Sequence, residues 1–160
     1  EPFFNIMLPI GDVKSLKGCI ELYTQCEKLE GDNKITNDKT NEKEVMEKKV
    51  QFWSFPNILI LTLKRFSNIV RKNQEYIDYP LVDLDLSSFV KGYDNTKYKY
   101  DLYGICNHTG GVQGGHYYSY VKNANGKWYK FNDTLVSEVT NLGDLQTPNA
   151  YCFFYRKQKC

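Results

Sequence analysis

The stretch GGVQGGHYYSYVKNANGKWYKFND, residues 110–133, places proton-transfer chemistry at a fixed spacing. The 160-residue chain has two histidines, and one of them, His116, follows a double glycine at the head of a strand pattern. A second strand pattern, beyond Asn123-Ala124-Asn125-Gly126, ends in Asn132 and Asp133. A histidine general base must hold one tautomer and one ring orientation. An Asn or Asp oxygen accepting from one ring N–H achieves both and leaves the other nitrogen for a thiol or hydroxyl. A carboxylate stabilises imidazolium more strongly, whereas an amide mainly orients the ring. An amide suffices for a thiol nucleophile, whose lower pKa demands less of its base.

The hairpin supplies the spacing. Opposed residues of an antiparallel pair have position numbers with a constant sum. A loop of Asn123, Ala124 and Asn125 sets that sum at 248 and opposes His116 to Asn132, while a two-residue loop sets 249 and opposes His116 to Asp133. Directly opposed Cβ atoms lie about 4.5–5.5 Å apart, close enough for an imidazole to meet a polar acceptor in either register. Gly126 suits a positive φ beside such a loop. Gly110, Gly111, Gly114 and Gly115 let the backbone bend and approach another chain closely. Against this, a histidine at a strand start is more often structural or at the surface, and Asn-Asp after a strand is more often turn chemistry.

The elements that must position these residues read as α+β with an antiparallel sheet. EPFFNIMLPI reads as a strand closed by Pro9 and Gly11. Asp12 is the expected cap of a helix through VKSLKGCIELYTQCEKL, whose apolar residues Val13, Leu16, Ile20, Tyr23 and Leu29 approximate helical spacing. The polar, lysine-rich EGDNKITNDKTNEKEVMEKK is expected as an exposed, weakly structured extension. From residue 50 onward the pattern is mostly β: VQFWSF as a strand, NILILTLKRF as a central strand buried on both faces, and RKNQEYIDYPLVDLDLSSFV as an edge segment leading into a short turn or helix. KYKYDLYGICNHT, the hairpin and a closing strand NAYCFFYRK follow.

Composition narrows the function classes. A net charge of +2, with lysines scattered among acids, gives no basic stripe, so the 13 tyrosines read as strand packing and no nucleic acid is expected as a partner. No apolar run reaches the length of a membrane span, and no membrane partner is expected. Cys19, Cys26, Cys106, Cys152 and Cys160 are odd in number and irregularly spaced, fitting neither a disulfide framework nor a zinc knuckle. A reducing compartment, cytoplasmic or nuclear, is expected. The chain opens on Glu1-Pro2 without an initiator Met, as a piece of something longer would.

YGICNHTGGVQGGHYYSYVKNANGKWYKFND resembles the histidine box of the ubiquitin-specific proteases, the papain-like cysteine deubiquitinases. SLKGCIELYTQCEKLEGDN is similar to that family's helix leading into its fingers region, and FWSFPNILILTLKRFS to its proline, apolar strand and Leu-Lys-Arg-Phe run. YIDYPLVDLDLSSFV and NAYCFFYRK resemble its Leu-Asp-Leu segment and terminal strand, in the same order. The resemblance implies a papain-like fold, of which residues 1–160 form the strand-rich palm and fingers. It implies His116 as catalytic base, Asn132 as third triad member and Asp133 as a neighbouring supporting acid. Residues 108–115 correspond to a flexible glycine-rich loop beside the channel for the ubiquitin tail. His108, Gly114, Gly115 and Tyr117 are the implied ubiquitin contacts there, with Phe66 supporting the ubiquitin-facing palm or filling the core. Ubiquitin and ubiquitinated proteins are the implied partners, and a channel admitting only residues without side chains selects the Gly-Gly tail.

Two departures from the family pattern shape the expectation. The nucleophile's N-terminal box is absent, and none of the five cysteines fits its place: Cys19 and Cys26 fall inside a helix pattern, Cys106 and Cys152 in strands, and Cys160 at the end. The missing N-terminal half of the same domain is therefore an expected partner, and the chain alone is expected to be inactive. The cysteine pair that many members use for a structural zinc is replaced by KITNDKTNEKEV, so neither metal nor cofactor is expected. The competing reading is a non-catalytic ubiquitin-binding scaffold that kept the fold and lost the nucleophile.

Overall fold

Apolar residues alternate with polar or half-buried ones through much of the chain, a two-residue period that a strand buries on one face. The computed structural model describes every residue except Glu1, Ile69, Val70, Asn95 and Cys160. In chain order its elements begin with β1 (Ile6–Leu8), α1 (Leu16–Thr24), β2 (Glu27–Leu29), β3 (Ile35–Thr36), β4 (Lys43–Glu44) and β5 (Met46–Lys48). They continue with β6 (Ile58–Leu63), β7 (Phe66–Asn68), β8 (Arg71–Lys72), β9 (Leu84–Asp85) and β10 (Lys99–Gly111). The last four are β11 (Gly114–Lys122), β12 (Trp128–Asn132), β13 (Leu135–Val139) and β14 (Ala150–Lys157). Among the described residues, eight strands form one sheet in the order β1-β6-β14-β10-β11-β12-β13, with β9 also paired to β10. All its pairs are antiparallel except β1 with β6, which is parallel.

Strand β6 sits inside this sheet, as its apolar run predicts. Leu59, Leu61 and Leu63 are fully buried, whereas Ile60 on the other face stays half-buried, so the expected burial on both faces is incomplete. The buried face joins Leu8, Leu102, Ile105, Phe153 and Tyr155 with Leu16, Cys19 and Ile20 of α1 in a single core cluster. Each such side chain contributes about 1.5–3 kcal/mol on burial. Arg65 follows β6 directly and is 0% exposed. Its Nε donates to the Ala150 carbonyl at 2.7 Å, and its Nη1 to the carbonyls of Asn73 at 3.0 Å and Glu75 at 2.9 Å. One guanidinium thus ties the start of β14 to the segment after β8.

Three local expectations are corrected. The helix begins at Leu16 and is capped by Ser15, not Asp12: the Ser15 hydroxyl accepts from the Gly18 N–H. The preceding residues cannot be helical because Lys14 and Leu16 exchange backbone bonds with Asp78. VQFWSF makes only an isolated bridge between Phe52 and Val90. Phe52 and Phe55, three apart, are both buried, which an alternating strand does not permit. The lysine-rich extension is exposed but ordered into ribbons, β2 against β5 and β3 against β4. No helix among the described residues is long and apolar enough to cross a membrane.

Candidate active site

The β11–β12 hairpin closes differently from either predicted register. Its observed pairs, Ser119 with Phe131 through Lys122 with Trp128, have a sum of 250. The loop is Ala124, Asn125 and Gly126: Gly126 N–H donates to the Asn123 carbonyl, Asn123 N–H to that of Lys127, and Gly126 takes φ +80°. A glycine tolerates that left-handed conformation inside the loop, so relative to the three-residue loop expected from the sequence the closing pair moves one residue later on both strands, to Asn123 and Lys127.

His116 and Asn132 nonetheless meet. Extending the observed register by one sets Asn132 across from Tyr118, two residues along β11 from His116 and on the same face. Diagonal neighbours of this kind lie within reach of long side chains. His116 Nε2 is 2.5 Å from Asn132 Oδ1. A ring proton on Nε2 donates to this oxygen, which leaves the Nδ1 lone pair free to take a proton. Asp133 begins the two-residue turn into β13 at φ +52°, a conformation Asp tolerates. Its Oδ2 is 3.8 Å from His116 Nε2, beyond hydrogen-bond length. The His116 side chain is 48% exposed, open to an incoming nucleophile.

None of the described cysteines reaches that nitrogen. In β10, Thr109 is opposite His116 and Cys106 is opposite Ser119. Thr109 and Cys106 are an odd number of residues apart in a continuously paired strand, so Cys106 points to the other face of the sheet. Cys152 is opposite Cys106 and shares that face. Burial pushes both thiols above their ordinary range and pushes Cys19, within the core, up to about 11. An activated nucleophile needs the reverse shift. Cys26 is exposed at the far end of α1, and Cys160 lies outside the described residues.

Residues 108–115, expected as a flexible loop, are paired strand with a two-residue turn at Val112 and Gln113. His108 faces Tyr117, Gly110 faces Gly115, and Gly111 faces Gly114. Gly115 is required by packing, since a Cβ there would overlap the Thr109 carbonyl oxygen and the His108 ring. Gly111 and Gly114 are open to solvent. His108, read from the sequence as a contact residue, is 4% exposed. Its ring lies 5.4 Å from the Phe66 ring and 4.6 Å from that of Tyr117, while Lys72 Nζ donates to its carbonyl. Burial and the nearby Lys72 charge hold this imidazole below its ordinary pKa. Tyr117, by contrast, is 54% exposed. Tyr151, absent from the predicted site, packs 5.9 Å from Phe66 and 6.4 Å from Tyr117. Its place at a strand start in NAYCFFYRK carries no signal of that contact, because a bulge in β14 sets it.

Two groups result, on opposite faces of one hairpin: His116, Asn132 and Asp133 on one, and His108, Tyr117, Phe66 and Tyr151 on the other. The exposed glycine tip, Gly111 and Gly114, lies at the end of the strands that carry His108, His116 and Tyr117.

The profile of the family described as ubiquitin carboxyl-terminal hydrolase matches residues 13–155. The chain is 37% identical over 147 residues to ubiquitin carboxyl-terminal hydrolase 10 of Arabidopsis thaliana, covering 89% of this chain and 16% of that protein. It is 38% identical over 147 residues to ubiquitin carboxyl-terminal hydrolase 15 of Rattus norvegicus, covering 89% of this chain and 15% of the rat protein. Among solved structures, a chain of the SAGA Ubp8/Sgf11/Sus1/Sgf73 DUB module bound to ubiquitin aldehyde superposes with a TM-score of 0.81 at 29% identity. That superposition covers 99% of this chain and 37% of the other. The chain thus spans well under half the length of these relatives.

Proposed function

The chain belongs to the ubiquitin carboxyl-terminal hydrolase family, and we propose that it supplies the histidine side of a thiol-dependent deubiquitinase site whose nucleophile comes from a segment outside these residues. The observation that carries this reading is the 2.5 Å contact between His116 Nε2 and Asn132 Oδ1, which leaves Nδ1 for the thiol. His116 takes the thiol proton at Nδ1 as the sulfur attacks the carbonyl carbon of ubiquitin's terminal glycine. The imidazolium then gives that proton to the departing amine, and a water activated by the same nitrogen releases ubiquitin. Asn132 holds the ring through both halves of the cycle. Asp133 adds charge complementarity when the ring is protonated.

The bare backbone of the hairpin tip supports a Gly-Gly tail as the segment that crosses between the two faces, with exposed Tyr117 and Gly114 beside it. Gly115 and buried His108 act from beneath, His108 by packing against both Phe66 and Tyr117. Ubiquitin and ubiquitinated proteins are the proposed partners, in keeping with the ubiquitin aldehyde on the SAGA module. A reducing cytoplasmic or nuclear setting fits the cysteines.

The test uses the longer protein that contains this chain, challenged with a ubiquitin carrying an electrophile at its C-terminus. One cysteine outside residues 1–160 should be labelled, and His116→Ala should slow labelling by about 10²–10⁴-fold. Equal labelling of the variant, or none of the parent protein, rejects the proposal. The 160 residues alone should release no ubiquitin; turnover by them would return Cys106 to contention.

A further inference from the structure

Cys106 of β10 and Cys152 of β14 are register partners, directly across from one another on the sheet face away from the core. Opposed residues of an antiparallel pair have Cα atoms about 4.5 or 5.5 Å apart. Both separations lie inside the roughly 4.4–6.8 Å range that disulfides span. Each sulfur is half-buried, and the next residues in the same row are small: Thr62 beside Cys152 and Ser119 beside Cys106. Thr62 Oγ1 lies 3.4 Å from Cys152 Sγ, with its hydroxyl also within donating distance of Asn5 Oδ1 at 2.9 Å.

A bulge lies immediately beside the pair. Cys106 opposes Cys152 while Asn107 opposes Ala150, which leaves Tyr151 as the unmatched residue. Bulged residues are where a strand yields and re-aims a side chain. The Tyr151 ring is the one that packs against Phe66 and Tyr117.

We propose that Cys106 and Cys152 form a vicinal dithiol that closes to a cross-strand disulfide by exchange with a small-molecule disulfide of the glutathione class, and that closure displaces Tyr151. In the first step one protein thiolate attacks the reagent's S–S bond, forming a mixed disulfide and releasing one thiolate that takes up a proton. In the second, the other protein thiolate attacks the mixed disulfide at the protein sulfur and expels the second reagent thiol. Two protein thiols and one disulfide become one protein disulfide and two small thiols, with two electrons passing to the reagent. Bridged Cβ atoms lie about 3.5–4.5 Å apart, closer than opposed strand residues hold them, so β10 and β14 draw together at the bulge. Because burial raises both thiols, closure quickens as pH rises. On the proposed deubiquitinase reading, the displaced Tyr151 would disturb the wall of the tail channel.

The experiment treats the reduced 160-residue chain with oxidised glutathione and digests it under conditions that preserve disulfides. Exposed Cys26 serves as the internal control, since it should carry glutathione. The expected product is a linked pair of peptides containing Cys106 and Cys152, with the protein lighter by two hydrogens apart from the glutathione on other cysteines. In the same sample, ring signals of Tyr151 and Tyr117 should shift by NMR and return on reduction, while those of Trp53 and Tyr93 stay put. Cys106→Ser should leave the tyrosine signals unmoved. Conversion of Cys26 with Cys106 and Cys152 both still free overturns the proposal, as does a closed bridge with unmoved Tyr151 signals. Neither readout involves ubiquitin, so failure of the deubiquitinase reading appears separately, in the probe experiment.

Discussion

The His108 ring lies so close to Gly115 that no side chain fits between them. The constraint is steric and local, because Gly114, one residue away, has open space where its Cβ would be. Gly115→Ala should destabilise the chain by about 1–3 kcal/mol, as inserting a methyl into a filled contact does. Gly114→Ala should stay within about 0.5 kcal/mol. Urea unfolding of the two variants checks this; equal midpoints would mean that both the imidazole and the Thr109 carbonyl give way freely.

The same ring makes stability depend on pH. His108 is held below its ordinary pKa of 6.5, first by burial and second by the charge of Lys72. The unfolded chain therefore takes up its proton before the folded one does, and stability rises with pH across that interval. The contribution is complete above about pH 6.5 and is lost as pH falls through the folded pKa. Tyr151, also in the cluster, is pushed above its ordinary range by burial and stays neutral throughout. His108→Phe keeps the aromatic packing and removes the proton, so thermal unfolding of the variant should vary less than the parent's between about pH 7 and pH 5. Carboxylates held low, Glu75 by Lys14, Asp85 by Ser87 and Asp94 by Thr96, lose their contribution at lower pH in both proteins.

The site was more legible in the sequence than the geometry that makes it. His116 and Asn132 stood out because the spacing across a hairpin is short and local. The observed register differs from both expected ones because Gly126 sits inside the loop at φ +80° rather than beside it. Contact survived because a same-face diagonal reaches nearly as far as direct opposition. Nothing local marked His108 as buried, since its burial comes from Phe66, more than forty residues earlier in the chain. The bulge that frees Tyr151 is likewise a relation between two strands and leaves no mark in either.

Arg65 gives a third prediction. Its guanidinium serves three backbone carbonyls, a buried contact to Ala150 and part-buried ones to Asn73 and Glu75. Arg65→Met fills similar space and leaves those carbonyls unpaired, each at a cost of about 1–3 kcal/mol. A loss of roughly 3 kcal/mol or more is expected in urea unfolding. Arg65→Lys should recover only part of it, because one ammonium cannot span both sides of the planar fork. Full recovery by lysine would show that charge alone matters there.

The two candidate orienting residues separate by distance. Asn132 is at hydrogen-bond length from His116 Nε2, whereas Asp133 is at 3.8 Å with its side chain 77% exposed. Removing Asn132 should release the ring to exchange tautomers. Nitrogen shifts of His116 in the 160-residue chain should report Nε2–H in the parent and a mixture in Asn132→Ala. On the proposed deubiquitinase reading, the same variant of a longer protein containing this chain should lose about 10²-fold or more in kcat/KM. Asp133→Ala removes an exposed partner worth about 0–1 kcal/mol, so its loss should be roughly fivefold or less. The reverse order, a large loss from Asp133 with an unchanged tautomer in Asn132→Ala, would make the carboxylate the residue that sets the ring and leave the amide as turn chemistry.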